Sequence, residues 1–501
     1  MKISIQSLME KSGVKFGTSG ARGLVSEMTD LVCYSYTKGF LQYLKSIGQL
    51  SEKKEKVAIA GDLRGSTDRI MVAVEKAVSD FGCLPVNTGK IPTPAVSFFG
   101  FENGFPSIMI TGSHIPDDRN GIKFNKAVGE VLKDDEAKIR AQEIAIDDNL
   151  FDESGNFKKS AEISYEQNGD AKNLYEKRYL NFFLPNCLSG FKIGFYEHSA
   201  VVRDMLPQIL QKLGAEVKTF GRSEKFIAVD NEALNTETLS LVKNFSKEHQ
   251  LDAIVSTDGD SDRPIIFDEN GEWIENDLAD IVCAKYLSAE TVCTTLTTST
   301  ALEKSGFFKK ISRTKIGSPY VIASMNEARE SGAKKIIGYE NNGGFLIDSD
   351  FEIDGRKLKQ LPTRDTLIVL LSILCEAKMQ KKRLSELLNG IPQRFVFSNH
   401  IVNFSKERGV KLFKEFFDLG SESADKQSAN NLFGKISGEA SEINRFDGVR
   451  ITFKNGEIIH LRPSGNAPEL RIYTEAGTVE RAAEINKKAM ERVRKILENS
   501  K

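Results

Sequence analysis

The feature that most constrains the fold is a repeated alternation of short apolar runs with longer segments of helical periodicity. Residues 57–62 form an apolar run that ends in Gly-Asp, and residues 68–81 then space their apolar side chains at helical intervals. The same alternation returns in 191–220 and in 238–256. Short strands that alternate with helices of this length are typical of βαβ units, so the sequence predicts an α/β protein.

The length of the chain predicts several domains. At 501 residues, the usual domain size of roughly 100–200 residues gives three or four. The alternation and its breaks divide the chain into α/β domains and a last unit of different character: 1–160, 161–269, 270–388 and 389–501. In the last unit we predict a helix at 406–419, a polar connector at 421–431, strands, and a long charged helix at the end.

Composition excludes several classes of protein. A formal net charge of -1 gives no broad electrostatic attraction to nucleic acid or to a membrane surface. The longest apolar stretch, 367–375, is far shorter than the roughly 20 residues of a membrane span, and the first residues lack the apolar segment of a secretion signal. The six cysteines are scattered without a C-x-x-C pair, which predicts buried thiols without disulfides or zinc. We therefore expect a cytoplasmic protein with neither nucleic acid nor membrane as a partner.

The stretch 108–124, IMITGSHIPDDRNGIKF, places a hydroxyl, an imidazole and an ammonium in one loop. An apolar strand end precedes Ser113 and His114, and α/β proteins bind their ligands beyond the carboxyl ends of strands. Asn120-Gly121 is predicted to turn the chain back and bring Lys123 near Ser113. Taken alone, an ordinary strand-turn-strand, whose Ser and His only satisfy backbone groups, explains this stretch equally well.

The stretch 257–263, TDGDSDR, predicts a metal site. Asp258, Asp260 and Asp262 alternate along a tight turn, so their carboxylates can converge on a hard cation such as Mg²⁺ or Ca²⁺. A calcium-binding EF-hand loop is the alternative, but its sixth position would be Arg263, where that loop needs glycine. The flanking residues also have strand character, so Mg²⁺ is favoured.

Three further loops combine glycines with charged side chains. The segment 16–23 surrounds Arg22 with glycines, which suits an anion. Glu340 lies in the loop GYENNGGF, where a carboxylate can accept hydrogen bonds from sugar hydroxyls. Near the end of the chain, a loop gathers groups that bind a phosphate dianion: Arg462, Ser464, Gly465, Asn466 and Arg471. Each loop alone has a plain alternative, such as a solvated turn or a capping carboxylate.

Taken together and in this order, the five motifs resemble those of the α-D-phosphohexomutase family over essentially the whole chain. The serine loop keeps the family pattern except at Gly112, Ile115 and Arg119, and the last loop has Ala467 where threonine is common. The TGSHIP and YENNGG variants are most similar to those of phosphomannomutases, which implies mannose phosphate as substrate. Glucose and glucosamine phosphates stay open, because Glu340 would contact hydroxyls that those sugars share with mannose. Asn342 replaces a family serine in this loop, which also leaves the sugar preference open.

The resemblance implies a fold and a set of roles. It implies three related α/β domains and a smaller C-terminal α+β domain around a central cleft. It implies Mg²⁺ held by phosphorylated Ser113 and the three aspartates, and a hexose 1,6-bisphosphate as activator. Its catalytic residues would be Ser113, His114, Lys123 and Arg22. Its substrate-binding residues would be Arg263, Glu340, Asn342, Arg462, Ser464, Gly465, Asn466 and Arg471. Sugar phosphates would be the partners of a monomer or small homo-oligomer.

The resemblance leaves two matters open. Lys123 and His114 are both candidates for the group that takes the hydroxyl proton, and each could instead act only through its charge. A metal-dependent sugar phosphatase that uses Ser113 as a transient nucleophile, and a sugar-phosphate sensor without turnover, are the alternatives to a mutase.

Overall fold

A computed structural model describes residues 2–17, 20–50, 55–159, 168–464 and 468–499. The chain forms two compact units, one made of 1–292 and 322–388 and the other of 293–321 and 389–501. The chain passes between the units inside strand Thr291–Thr295, inside helix Ser318–Glu330 and after Leu388.

The first part of unit one is a mixed sheet covered by helices. The sheet has the strand order Lys15–Phe16, Gly20–Leu24, Arg119–Lys126, Ser107–Ile110, Lys56–Gly61 and Leu84–Lys90, and Gly129–Glu130 pairs beside it. A small antiparallel pair joins Lys2–Ser4 to Glu143–Ala145. The helices are Ile5–Ser12, Asp30–Ser46, Thr67–Asp80, Thr93–Asn103 and Lys133–Arg140. Strands Lys56–Gly61 and Ser107–Ile110 are parallel and buried, as their continuous apolar sequences predict.

The second part of unit one repeats the alternation on a smaller sheet. Its strand order is Glu216–Phe220, Lys192–Tyr196, Ala253–Thr257 and Pro264–Phe267, of which the last pair is antiparallel. Its helices are Asp170–Phe182, Leu206–Lys212 and Thr236–His249. The tight connection between the last two strands carries the three aspartates.

The rest of unit one is a third α/β region. Its strands form two antiparallel pairs, Ile336–Tyr339 with Phe345–Ile347 and Phe351–Ile353 with Arg356–Leu358. Its helices include Asn276–Tyr286, Thr366–Gln380 and Leu384–Leu388. Helix Thr366–Gln380 is buried along nearly its whole length, which explains the long apolar stretch in this part of the sequence.

Unit two contains an antiparallel sheet packed on helices. The strand order is Phe395–Val402, Glu469–Ala476, Ile458–Pro463, Val449–Phe453 and Ala440–Asn444. The helices are Ala301–Ser305, Lys406–Phe417, Glu422–Ser437 and Val479–Asn499, and strand Lys310–Thr314 neighbours Thr291–Thr295. Apolar side chains from the sheet and the last three helices form one core, including Phe433, Ile451 and Ile485.

Two predictions of local structure are wrong. Asn120-Gly121 does not turn the chain, because both residues lie inside strand Arg119–Lys126, where the Asn120 amide donates to Ser66 Oγ at 2.9 Å. The predicted connector at 421–431 lies mostly within helix Glu422–Ser437. Ser421 caps this helix by accepting from the N–H of Ala424, and burial of its apolar face outweighs its polar composition.

Among the described residues, no helix is long and apolar enough to cross a membrane.

Candidate active site

The serine loop begins where strand Ser107–Ile110 ends. Ser113 is 2% exposed, and its backbone has φ 57, a left-handed conformation that most residues avoid. Its N–H donates to Thr111 Oγ1 at 2.7 Å, which fixes the turn. Its hydroxyl donates to Asp258 Oδ2 at 2.8 Å. The sequence-predicted nucleophile and metal loop are therefore in direct contact, although 145 residues separate them.

The three aspartates of the predicted metal loop, residues 257–263, are fully buried and close together. One carboxylate oxygen from each of Asp258, Asp260 and Asp262 lies within 4.8 Å of the others. Burial, and then the charges of Asp260 and Asp262, raise the pKa of Asp258 well above its usual value. The Oδ1 atoms of Asp260 and Asp262 are buried and accept no hydrogen bond from the residues that the structure describes. Three clustered carboxylates, two of which have an oxygen that accepts no such hydrogen bond, fit a hard divalent cation.

Lys123 contacts the same acidic cluster from strand Arg119–Lys126. Its Nζ lies 2.6 Å from Asp260 Oδ2 and 2.7 Å from Asp262 Oδ2. Burial acts to raise the pKa of Asp262, but Arg364, Lys123 and Arg263 outweigh it and hold that pKa below its usual value. Asp262 is therefore ionised, and its carboxylate is surrounded by three cationic side chains.

His114 adds a ring nitrogen beside the serine, and the charge of Arg22 acts on the His114 ring. His114 Nδ1 lies 3.4 Å from Ser113 Oγ, and the guanidinium of Arg263 lies 3.2 Å from the same ring atom. Burial, followed by the charges of Arg263 and Arg22, lowers the pKa of His114 to about 3, so the imidazole is neutral. Burial, followed by Arg263, lowers the pKa of Arg22 to about 10, which leaves its guanidinium charged at neutral pH.

Arg64 holds the serine loop, and sequence reasoning missed it. The side chain is 2% exposed, and its Nε pairs with Asp62 Oδ2 at 3.2 Å. Its two remaining nitrogens donate to four backbone carbonyls at 2.5–3.0 Å, those of Ser113, Ile115, Pro116 and Arg119. All five N–H donors of the guanidinium are thus used. The ring of Phe226 covers the guanidinium at 3.9 Å.

Arg64 also explains a departure from the family pattern. A Cβ at Gly112 would lie 2.6 Å from Arg64 Cζ, so only glycine fits beside the guanidinium at its present position. The sequence contained one sign of this role, because the Asp-Leu-Arg run of Asp62 and Arg64 directly follows a buried strand.

The predicted sugar-binding loop, which carries Glu340 and Asn342, is a tight turn after strand Ile336–Tyr339. Glu340 is buried, and its carbonyl accepts from the N–H of Gly343 at 3.0 Å. The side-chain oxygen of Asn342 accepts from the N–H of Gly344 at 3.1 Å, and its carbonyl accepts from the Asn231 side chain. The predicted Asn342 thus shapes the loop that presents Glu340.

Arg364 is a second residue that the sequence did not reveal. It comes from the third α/β region, is 4% exposed, and its Nε lies 3.0 Å from Asp262 Oδ2. Burial acts to lower the pKa of Arg364, but Asp262, Glu130 and Glu340 raise it above its usual value. A Cβ at Gly344 would lie 2.6 Å from Arg364 Cδ, so the side chain packs directly on the sugar loop. Arg364 therefore joins the metal loop to the sugar loop.

The predicted phosphate-binding residues lie in unit two. Arg462 and Arg471 are directly opposite each other on paired strands. Arg462 Nε lies 2.8 Å from Asp447 Oδ2, and the N–H of Ser464 donates to the carbonyl of Glu469 at 2.7 Å across the loop. Gly465 and Asn466 lie outside the described residues. The described part of the loop thus has two guanidiniums on facing strands, and each has a carboxylate partner, because Arg471 Nε lies 3.5 Å from Glu469 Oε2.

A serine hydroxyl that faces a three-aspartate loop, within a multidomain α/β chain, defines the class of protein. The chain belongs to the phosphoglucomutase/phosphomannomutase family. The three α/β/α domains of that family match residues 13–149, 177–271 and 276–395, and its C-terminal domain matches 420–492. The expected family and the expected fold class of three α/β domains followed by a C-terminal domain are therefore confirmed.

Several proteins are similar over nearly the whole chain. A phosphomannomutase of Sinorhizobium fredii is 38% identical over 464 residues, which cover 93% of this chain and 95% of that protein. A phosphomannomutase of Salmonella muenchen is 39% identical over 478 residues, 95% of each chain. A phosphoglucosamine mutase of Listeria monocytogenes is 25% identical over 487 residues, 94% of this chain and 96% of that one.

Solved structures of the same fold are more distant in sequence. A phosphoglucomutase/phosphomannomutase family protein of Burkholderia thailandensis superposes with a TM-score of 0.72 at 18% identity, covering 98% of this chain and 97% of that one. The open form of a Paramecium phosphoglucomutase, pp63/parafusin, has a TM-score of 0.68 at 17% identity and covers 95% and 94%. At these identities the similarity supports the fold alone.

Proposed function

We propose that this chain interconverts the 1-phosphate and the 6-phosphate of a hexose, preferentially mannose, through phosphorylated Ser113 and a hexose 1,6-bisphosphate. One contact carries the proposal: Ser113 Oγ lies 2.8 Å from Asp258, within a cluster of three buried aspartates. The choice of mannose follows the identity of 38% and 39% to two phosphomannomutases.

The chemistry is two phosphoryl transfers in opposite directions. In the first, the bond between phosphorus and Ser113 Oγ breaks as a hydroxyl oxygen of the sugar phosphate bonds to the phosphorus. The resulting bisphosphate turns round, and its other phosphoryl group returns to Ser113. A Mg²⁺ ion bound to Asp258, Asp260 and Asp262 and to phosphorylated Ser113 would supply Lewis-acid stabilisation of the transferring group. The same bisphosphate would activate chains that have lost the phosphoryl group.

The groups around Ser113 have distinct roles in this proposal. Lys123 and Arg22 supply positive charge, and Lys123 already contacts two of the three aspartates. His114 is a neutral ring beside the serine oxygen and can donate or accept one hydrogen bond. His114 and Lys123 are the two candidates for the group that takes the proton of the sugar hydroxyl. Arg64 holds the loop that carries Ser113.

The sugar phosphate would be oriented at two places. Arg263, Glu340 and Asn342 would bind the sugar, since Glu340 offers two acceptors to vicinal hydroxyls. The phosphate that does not react would bind to Arg462, Ser464, Gly465, Asn466 and Arg471. Two guanidiniums opposite each other on paired strands suit a dianion.

The proposal also includes the organisation of the protein. We place domain boundaries near residues 160, 269 and 388, which follow the breaks in the strand and helix alternation. The protein would act in the cytoplasm as a monomer or small homo-oligomer, with sugar phosphates as its partners and without nucleic acid or membrane.

The test compares kcat/KM for mannose, glucose and glucosamine 1-phosphates, with Mg²⁺ and a trace of the matching 1,6-bisphosphate. The proposal predicts turnover of mannose 1-phosphate and none with Ser113→Ala. Equal turnover of glucose or glucosamine phosphate would refute the preference for mannose while retaining the mutase. Release of inorganic phosphate would instead indicate a phosphatase, and binding without turnover would indicate a sensor.

A further inference from the structure

Two cysteines that are distant in sequence lie in contact. Cys187 and Cys375 are 188 residues apart, and their Sγ atoms are 3.1 Å apart. Cys187 lies in the loop after helix Asp170–Phe182, and Cys375 lies in helix Thr366–Gln380. A disulfide bond is about 2.05 Å long, so the two sulfurs need to approach by only about 1 Å to bond. Sequence spacing gave no sign of this pair.

The two thiols differ in access and in reactivity. Cys375 is 1% exposed, whereas Cys187 is only partly buried. The hydrogen bond from Cys375 lowers the pKa of Cys187, while the same bond, followed by burial, raises the pKa of Cys375. Because the thiolate is the reactive form, Cys187 is the thiol that a reagent from solvent meets first.

We propose that Cys187 and Cys375 form a modification site that reacts with low-molecular-weight disulfides of the glutathione class. The Cys187 thiolate attacks one sulfur of the reagent and expels a reagent thiolate, which takes up the proton that Cys187 lost. Cys375 then loses its proton and attacks the Cys187 sulfur, expelling the second reagent thiolate. The two cysteines lose two electrons, and one reagent disulfide becomes two thiols.

The bond would join helix Thr366–Gln380 to the loop that follows helix Asp170–Phe182, and these two helices already meet at one end. Tyr175 and Tyr179, on helix Asp170–Phe182, both donate to Asp365 at the start of helix Thr366–Gln380, at 2.8 and 2.5 Å. Asp365 follows Arg364, which contacts the metal loop. Oxidation therefore adds a second link between helix Thr366–Gln380 and the segment of helix Asp170–Phe182 with its following loop, beside the contacts of Asp365. Because it also constrains the unfolded chain, we expect the Tm to rise.

The test treats the reduced full-length chain with oxidised glutathione. The proposal predicts a Cys187–Cys375 peptide cross-link in a non-reducing digest, loss of two of the six thiols titrated after denaturation, and a higher Tm. Cys83→Ser is the matched control, since Cys83 is the other partly buried cysteine, and it should keep the cross-link and the Tm rise. The cross-link, the thiol count and the Tm can each be measured whether or not the chain has the proposed enzymatic function.

Two variants test the order of the steps. In Cys375→Ala, we expect a stable mixed disulfide between Cys187 and glutathione, because the second thiol is gone. In Cys187→Ser, we expect Cys375 to stay unmodified, because it is buried. The proposal is overturned if the wild-type chain keeps all six thiols, if it stops at a mixed disulfide, or if oxidation falls on Cys83 instead.

Discussion

Replacing Arg64 with lysine tests whether the guanidinium holds the serine loop in its reactive conformation. The Arg64 guanidinium makes five hydrogen bonds, four of them to the backbone carbonyls of Ser113, Ile115, Pro116 and Arg119. A lysine ammonium has three donors and no planar fork, so at least two of these bonds are lost. At about 1.5–3 kcal/mol for each bond to a charged group, the loop loses about 3–6 kcal/mol.

This loss exceeds the strain that the loop stores. A left-handed backbone such as that of Ser113 costs about 1–2 kcal/mol, so the loop is expected to relax once Arg64 is replaced. We predict that kcat/KM for mannose 1-phosphate falls by at least about 100-fold, equivalent to about 2.7 kcal/mol, and that the Tm falls. Arg119→Lys changes an exposed side chain where the loop meets strand Arg119–Lys126, so this variant should stay near wild type. Wild-type kcat/KM and Tm in Arg64→Lys would refute the reasoning.

Three further changes have distinct expected results. Arg364→Gln should weaken the binding of Mn²⁺, because Asp262 loses the arginine contact that orients its carboxylate. The affinity is measured from the electron paramagnetic resonance of Mn²⁺, and an unchanged affinity would contradict this role. Burial raises the pKa of Glu75 from 4.5 to about 7, so the folded state loses stability as pH rises through this range. Glu75→Gln should therefore have a higher Tm than wild type at pH 8 but not at pH 4. A difference in Tm between the two proteins that does not vary with pH would count against this. Asp447→Asn should raise KM more than it lowers kcat, because Arg462 loses its carboxylate partner; an equal fall in kcat would argue against a binding role.

The sequence predicted the parts of the site that lie on single loops. Ser113 and Asp258 each follow a buried strand, and both signals are local in the chain. Ser113 and Asp258 come together only in the folded chain, because they are 145 residues apart in sequence. No local sequence pattern encodes such a contact. The roles of Arg64 and Arg364 were missed for the same reason, because an arginine that donates to distant carbonyls or carboxylates resembles a solvated arginine in sequence.

The two errors of local structure also have physical causes. Asn-Gly favours a turn, but the strand can accommodate it because the Asn120 amide bonds to Ser66 and because Gly121 allows close approach of Thr111 and Ala21. The helix Glu422–Ser437 was hidden by its polar composition. It is formed because Ser421 caps it, while buried residues such as Phe433 pack it onto the core.

The measurement that tests the central claim most directly follows the phosphoryl group itself. The chain is phosphorylated with labelled mannose 1,6-bisphosphate, digested to locate the label, and then mixed with unlabelled mannose 1-phosphate. We predict that the label lies on Ser113 and passes to the sugar bisphosphate within one turnover, and that Ser113→Ala takes up none. Label on another residue, or label released only as inorganic phosphate, would contradict the account.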